Sequence, residues 1–235
     1  MTEDRYLIGN FGSGGLFSRC SYIRGFTTFL IDLARNKNPN RIQQLIESIL
    51  SYFLTTIEKL KEYCQPLDSI IISDDMGTQH STFISPRIFK KFFKEPYKRI
   101  TNLIHDLEMD FILHSCGDVS VLIPEFIDIG IDAMEFDSPH MVGVENFKKF
   151  AEDRKIAFCL SSNIQSTYLY GTPVEIEEEI KYYIKEIGNN EGGLVVWEYP
   201  DNYSLGTSKR NIRAQRKAAL KWGKYNENGV IEWLT

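Results

Sequence analysis

The chain has 235 residues, 43% of them hydrophobic and 25% charged, and a formal net charge of −5. Those proportions exclude a disordered or fibrous chain and fit a single globular domain with a full core. The acidic balance and the lack of any basic run exclude a nucleic-acid surface, and no apolar stretch reaches the roughly 18 residues a membrane helix needs.

At the start, Met1-Thr2-Glu3-Asp4-Arg5 carries acids where a secretory leader carries basic residues, so the chain reads as cytoplasmic. Strand-like runs fall at about 6–11, 69–73, 109–114, 132–136, 156–160 and 193–198. Helical spacing fills the intervals, at 16–35, 40–63, 87–107, 118–129, 144–152, 173–188 and 209–224. Pro39, Ser85-Pro86 and Thr172-Pro173 mark helix starts, and Gly130, Gly188 and Gly223 mark ends. Repeated strand–helix alternation predicts right-handed βαβ units and a parallel sheet, hence an α/β protein. Ser69-Ile70-Ile71-Ile72-Ser73 and Gly193-Leu194-Val195-Val196-Trp197 are apolar enough to expect both faces covered. The pattern fits a barrel or an open doubly wound sheet, and six strands fall short of the eight in a closed (β/α)8 barrel, so a TIM-type barrel is either incomplete or holds strands the periodicity misses; the favoured reading is one domain over 1–235, incomplete at its N-terminus. Gly12-Ser13-Gly14-Gly15 lacks the spacing of a dinucleotide fingerprint and no Lys-Ser/Thr follows it, so it reads as a βα loop.

Chemistry in a parallel α/β protein gathers at the carboxyl ends of the strands. Those positions hold Asp74, Asp75 and Gln79, then His114, Cys116 and Asp118, then Glu135 and Asp137. Further on come Asn163 and Gln165, and finally Glu198 and Asp201. In His114-Ser115-Cys116-Gly117 the alternation of a strand throws His114 and Cys116 to one face, which gives two zinc-grade ligands. An isolated His-x-Cys is more often core packing, and the polar surroundings are what favour a site here. Only one of the adjacent Asp74 and Asp75 points into the mouth of the barrel; the other is free to cap a turn or helix. Asp118 is expected to cap a helix beginning near Val119. His80, His105 and His140 are taken as non-ligands, and Cys20 and Cys64 as core or partly buried thiols. The four cysteines include no Cys-x-x-Cys pair, so reduced thiols are expected rather than a disulfide framework.

The order Asp74-Asp75-Met76-Gly77-Thr78-Gln79, Ile84-Ser85-Pro86 and Leu113-His114-Ser115-Cys116-Gly117 resembles the uroporphyrinogen decarboxylase superfamily. Ile129-Gly130-Ile131-Asp132-Ala133, Gly171-Thr172-Pro173, Gly192-Gly193-Leu194, Asn211-Ile212 and Trp222-Gly223 continue the resemblance. It implies a TIM barrel, and the family's N-terminal portion has no counterpart here. Its zinc-dependent corrinoid methyltransferase branch holds zinc with His-x-Cys and a later Cys, so His114 and Cys116 match two of three ligands. Counted back without gaps from Asn211-Ile212, the third falls on Asp201, with Glu198 and Cys159 as fallbacks. The resemblance then implies methyl transfer from a methylated corrinoid to a small acceptor, with zinc as cofactor and a corrinoid protein as partner; an oligomer is compatible with it. Asp74, Asp75 and Gln79 are the expected catalytic group, and Glu135, Asp137, Asn163 and Gln165 the expected substrate or cofactor contacts. Two alternatives stand beside it: decarboxylation of a tetrapyrrole such as uroporphyrinogen, and an inactive fragment or subunit completed by a partner chain.

Overall fold

The computed structural model describes residues 5–64, 66–152, 156–188, 193–228 and 230–234; the acidic start at residues 1–4 and Gly192 of the family strings lie outside them. The chain divides into two compact units, Met1–Ala133 and Met134–Thr235.

In the first unit β1 (Ile8–Ser13), β2 (Ser69–Ser73) and β3 (Asp110–His114) pair in parallel, with β2 in the centre. The β2–β3 ladder runs without a break from Ser69↔Asp110 to Ser73↔His114. Ile70, Ile71 and Ile72 are buried, as are Phe111, Ile112 and Leu113, so the uninterrupted apolar runs do report strands covered on both faces.

The crossover helices come from the expected segments but break where the backbone demands it. The stretch 16–35 forms α1 (Leu16–Arg24) and α2 (Phe26–Arg35), because Gly25 between them sits at φ +83°, which no helix accommodates. Asn38 precedes α3 (Pro39–Tyr63), with Pro39 in the first turn where its missing N–H costs nothing. The stretch 87–107 forms α4 (Pro86–Phe92), capped by Ser85, and α5 (Lys94–Asp106). Phe93 between them packs against Phe17, Phe29 and Phe89, with ring centres 5.7, 6.3 and 6.4 Å away. The helix expected from 118 starts only at Ile123, as α6 (Ile123–Asp128). Asp118 therefore caps no helix: its carboxylate accepts from Ser120 N at 3.0 Å, a local turn bond of the kind short acidic side chains favour.

In the second unit β4 (Ala133–Phe136) is followed by α7 (Val144–Glu152), and β5 (Ala157–Leu160) pairs in parallel with β6 (Leu194–Val196). Phe136, Phe147 and Phe158 form its aromatic core. Between β5 and β6 lie α8 (Thr167–Tyr170), a short helix the periodicity does not reveal, and α9 (Pro173–Glu186). The start of α9 is a full capping box: Thr172 Oγ1 accepts from Glu175 N, and Glu175 accepts from Thr172 N at 2.7 Å. After β6 come α10 (Asn202–Leu205) and α11 (Lys209–Trp222). Gln215 of α11 accepts from Ser162 N at 2.8 Å and donates to Trp197 O at 2.9 Å, tying together the ends of β5 and β6. One expectation is corrected here: β6 is not covered on both faces, since Val195 is 47% exposed, as befits a terminal strand bonded to β5 on one side.

Candidate metal centre

The site in the first unit grows out of the β2–β3 register. Because Ser73 pairs with His114, the residues two places beyond each strand, Asp75 and Cys116, stand at equivalent positions past the ladder. Asp74 N continues the pairing by donating to His114 O at 2.8 Å. Asp75 Oδ1 then accepts from Cys116 N at 2.8 Å and lies 3.4 Å from His114 Nε2. Cys116 Sγ is 3.3 Å from the same imidazole nitrogen. One ligand atom from each of Asp75, His114 and Cys116 can be chosen so that all three lie within 4.8 Å of one another. His114 is buried, while Asp75 and Cys116 face solvent. Burial would lift the Asp75 carboxyl, but His114 and the Cys116 amide outweigh it and hold the group below its ordinary value, so it is charged at neutral pH.

Two glycines let the loops that follow β2 and β3 touch each other. A Cβ on Gly77 would stand 2.8 Å from Cys116 O; one on Gly117, at φ +85°, would stand 2.5 Å from Gly77 C and Thr78 O. With no side chains in the way, Asp118 N donates to Thr78 O at 2.7 Å and Met76 N to Ser115 Oγ at 3.1 Å. The Gly77 and Gly117 of the two family strings are thus the residues at which one loop touches the other.

Asp74 and Asp75, the two residues that follow β2, turn to different partners. The Asp74 side chain is fully buried and caps α1 from outside the helix. It accepts from Phe17 N at 2.7 Å, from Ser18 N at 2.8 Å, from Ser18 Oγ at 2.5 Å and from the Tyr97 hydroxyl. Burial pushes its carboxyl upward and these donors pull it down, with burial prevailing. Gly15 is required beneath it, since a Cβ there would meet Asp74 Cβ at 2.4 Å. Gln79 lies exposed in the following turn.

Among the other candidates of the first unit, His105 Nε2 lies 2.8 Å from an Asp132 carboxylate oxygen and His80 is exposed. Cys20 is buried, its thiol pushed up to about 12 by burial and by Asp74, whereas Cys64 is exposed at the end of α3 rather than packed.

The remaining expected residues belong to the second unit. Glu135 and Asp137 are buried at the end of β4. Asn163 accepts from Gln165 N at 3.0 Å in a tight turn, and Gln165 lines an open cavity of about 560 Å³ with Ser166, Thr167 and Tyr170. Asp201 caps α10, accepting from Ser204 N at 3.0 Å. Of the fallback ligands, Glu198 is paired with Arg216 through contacts of 2.5 and 2.8 Å. The Cys159 thiol is pushed up to about 12 by burial and by Glu135, which keeps it from being a ready thiolate.

The donor set of one imidazole nitrogen, one thiol sulphur and one carboxylate oxygen fits zinc, which accepts all three and in catalytic sites keeps a further position open. Asp75 as a candidate ligand escaped the sequence reading, although its offset from Ser73 equals that of Cys116 from His114.

A search of curated proteins finds no match to the chain. The strand–helix alternation agrees with the expected (β/α) barrel type, with six strands rather than eight among the described residues. The model of the family described as uroporphyrinogen decarboxylase (URO-D) matches residues 3–197, most of the 235, and the chain belongs to that family.

Proposed function

We propose that the chain transfers a methyl group from a methylated corrinoid to a small acceptor, with zinc held by His114, Cys116 and Asp75. The observation that carries this reading is the convergence of nitrogen, sulphur and oxygen donors within 4.8 Å at the carboxyl ends of β2 and β3. Zinc bound there supplies Lewis acidity that lowers the pKa of an acceptor such as a thiol. Asp75, already ionised, accepts the Cys116 amide and so holds the loop that presents the thiol. Buried His114 anchors the cluster to the sheet, while the exposure of Asp75 and Cys116 leaves the other side open to a large co-substrate delivered by a corrinoid protein. A carboxylate where the branch has a second thiolate makes the centre harder and more Lewis acidic, which favours acceptors less soft than a thiol. Gln79, at the exposed edge of the same loop, is positioned to orient acceptor or corrinoid.

The test is elemental analysis of the purified chain beside His114→Ala/Cys116→Ala, Asp75→Asn and Asp201→Asn, together with loss of the methyl–cobalt absorption of methylcobalamin in the presence of thiols and amines. Near-stoichiometric zinc and methyl transfer are expected in the unaltered chain, with both lost in the double variant and in Asp75→Asn. Zinc lost from Asp201→Asn and kept by Asp75→Asn would return the third ligand to Asp201. Absence of zinc from the unaltered chain, with metal-independent turnover of uroporphyrinogen, would replace methyl transfer by decarboxylation.

A further inference from the structure

On the outer side of α1, away from the metal ligands in sequence, Arg19 is held in an unusual way. Its Nε donates to Gly14 O at 2.6 Å, and its guanidinium carbon lies 5.2 Å from the ring centre of Tyr52 and 5.5 Å from that of Phe53. Phe53 is itself backed by Phe11, stacked at 4.6 Å. Nε is thus occupied and the guanidinium lies against two rings, and among the described residues Arg19 makes no ion pair. Arg19 lines a cavity of about 430 Å³ together with Tyr22, Ile23, Ile49 and Tyr52. Tyr22 is 70% exposed and Ile23 64%, which is costly for side chains of this size unless something covers them.

Gly14 explains why the βα loop is glycine-rich at this point. Its φ is +88°, and a Cβ there would meet the Tyr22 ring at 3.4 Å and Arg19 Cγ at 3.5 Å. Glycine allows both side chains to close over the loop.

We infer that this cavity binds a planar aromatic carboxylate. A guanidinium held through Nε by a carbonyl and set against two aromatic rings keeps its two terminal nitrogens for the two parallel hydrogen bonds a carboxylate accepts. Tyrosine and isoleucine walls take an aromatic body, and the volume lies within the usual range for small-molecule pockets. Arg19 is the only charged residue in the lining, so the pocket balances one negative charge and not the two of a phosphate ester.

The experiment is a calorimetric titration of the full chain with 2-naphthoate, repeated with the neutral 2-naphthamide and with 2-naphthyl phosphate. It is run on the unaltered protein, on Arg19→Gln, and on Ile23→Trp, which fills the cavity from an exposed position and leaves Arg19 in place. One equivalent of 2-naphthoate should bind the unaltered chain, at least tenfold more weakly in Arg19→Gln and not measurably in Ile23→Trp, with the amide weak throughout. Absence of saturable binding, equal affinity in Arg19→Gln, or amide or phosphate binding as tightly as the carboxylate overturns the assignment. Circular dichroism and thermal unfolding of the three proteins, expected to be superimposable, separate loss of the site from loss of the fold.

Discussion

Replacing Asp74 by Ala separates framework from chemistry at the paired aspartates. The substitution strips the acceptor from Phe17 N, Ser18 N, Ser18 Oγ and the Tyr97 hydroxyl, all buried. Loss of a helix cap alone costs about 1 kcal/mol. Each buried donor left without a partner costs about 1–3 kcal/mol, and the terms overlap because the donors share one carboxylate. Removing a costly buried acid offsets part of the sum. The net expectation is a loss of about 3–5 kcal/mol, among the largest that single substitutions produce. Asp75→Asn, whose side chain is 54% exposed, should stay within about 1 kcal/mol of the unaltered chain yet lose the metal. Urea unfolding followed by circular dichroism, with zinc content measured on the same preparations, reads both effects. If Asp74→Ala unfolds within about 1 kcal/mol of the unaltered chain, or Asp75→Asn falls as far as Asp74→Ala, the division of labour drawn from the geometry is wrong.

Other consequences are open to simple measurement. In metal-free protein at pH 8, a thiol reagent should modify exposed Cys64 and Cys116 quickly, and Cys20 and Cys159, with thiols pushed up to about 12, only on unfolding; added zinc should protect Cys116 alone, and four fast thiols would contradict the burial. Gly117→Ala adds a Cβ 2.5 Å from the Gly77 backbone at a φ of +85°, so a loss above about 2 kcal/mol in thermal unfolding is expected together with loss of zinc; zinc retained at full occupancy would show that the loop contact is not needed. Glu125 faces Lys90 and Lys94, each at 2.9 Å, and although burial alone would raise its carboxyl, the two ammonium groups hold it below its ordinary value. Its contribution is therefore complete above the unfolded pKa of about 4.3 and is lost as pH falls through the lower folded value. Glu125→Gln should cost about 1 kcal/mol at pH 7 and progressively less below about pH 4, and a difference unchanged by pH would refute the pairing.

Much of this molecule is written locally. Ser69–Ser73 and Asp110–His114 are legible as strands because buried strands need apolar residues on both faces. Thr172-Pro173 with Glu175 announces a helix because the capping bonds are made within four residues. His114 and Cys116 fall together by strand alternation, which needs no partner. Breaks at Gly25 and Phe93 do not show in the sequence, since hydrophobic spacing continues across them; at Gly25 a positive φ interrupts the helix. The short α8 and α10 carry too few residues for a period to show.

By itself, then, the sequence determines the alternation of strands and helices and the His-x-Cys pair, because each depends on residues near one another in the chain, whereas the contact between Gly77 and Gly117 joins loops 40 residues apart and exists only in the fold. Tertiary structure alone decides which aspartate serves which end. Ser73 pairing with His114 sets Asp75 beside Cys116, and helix α1, folded back from 57 residues away, brings the amide that takes Asp74. Register and long-range packing select the partner of a carboxylate, and neither is encoded at the carboxylate itself.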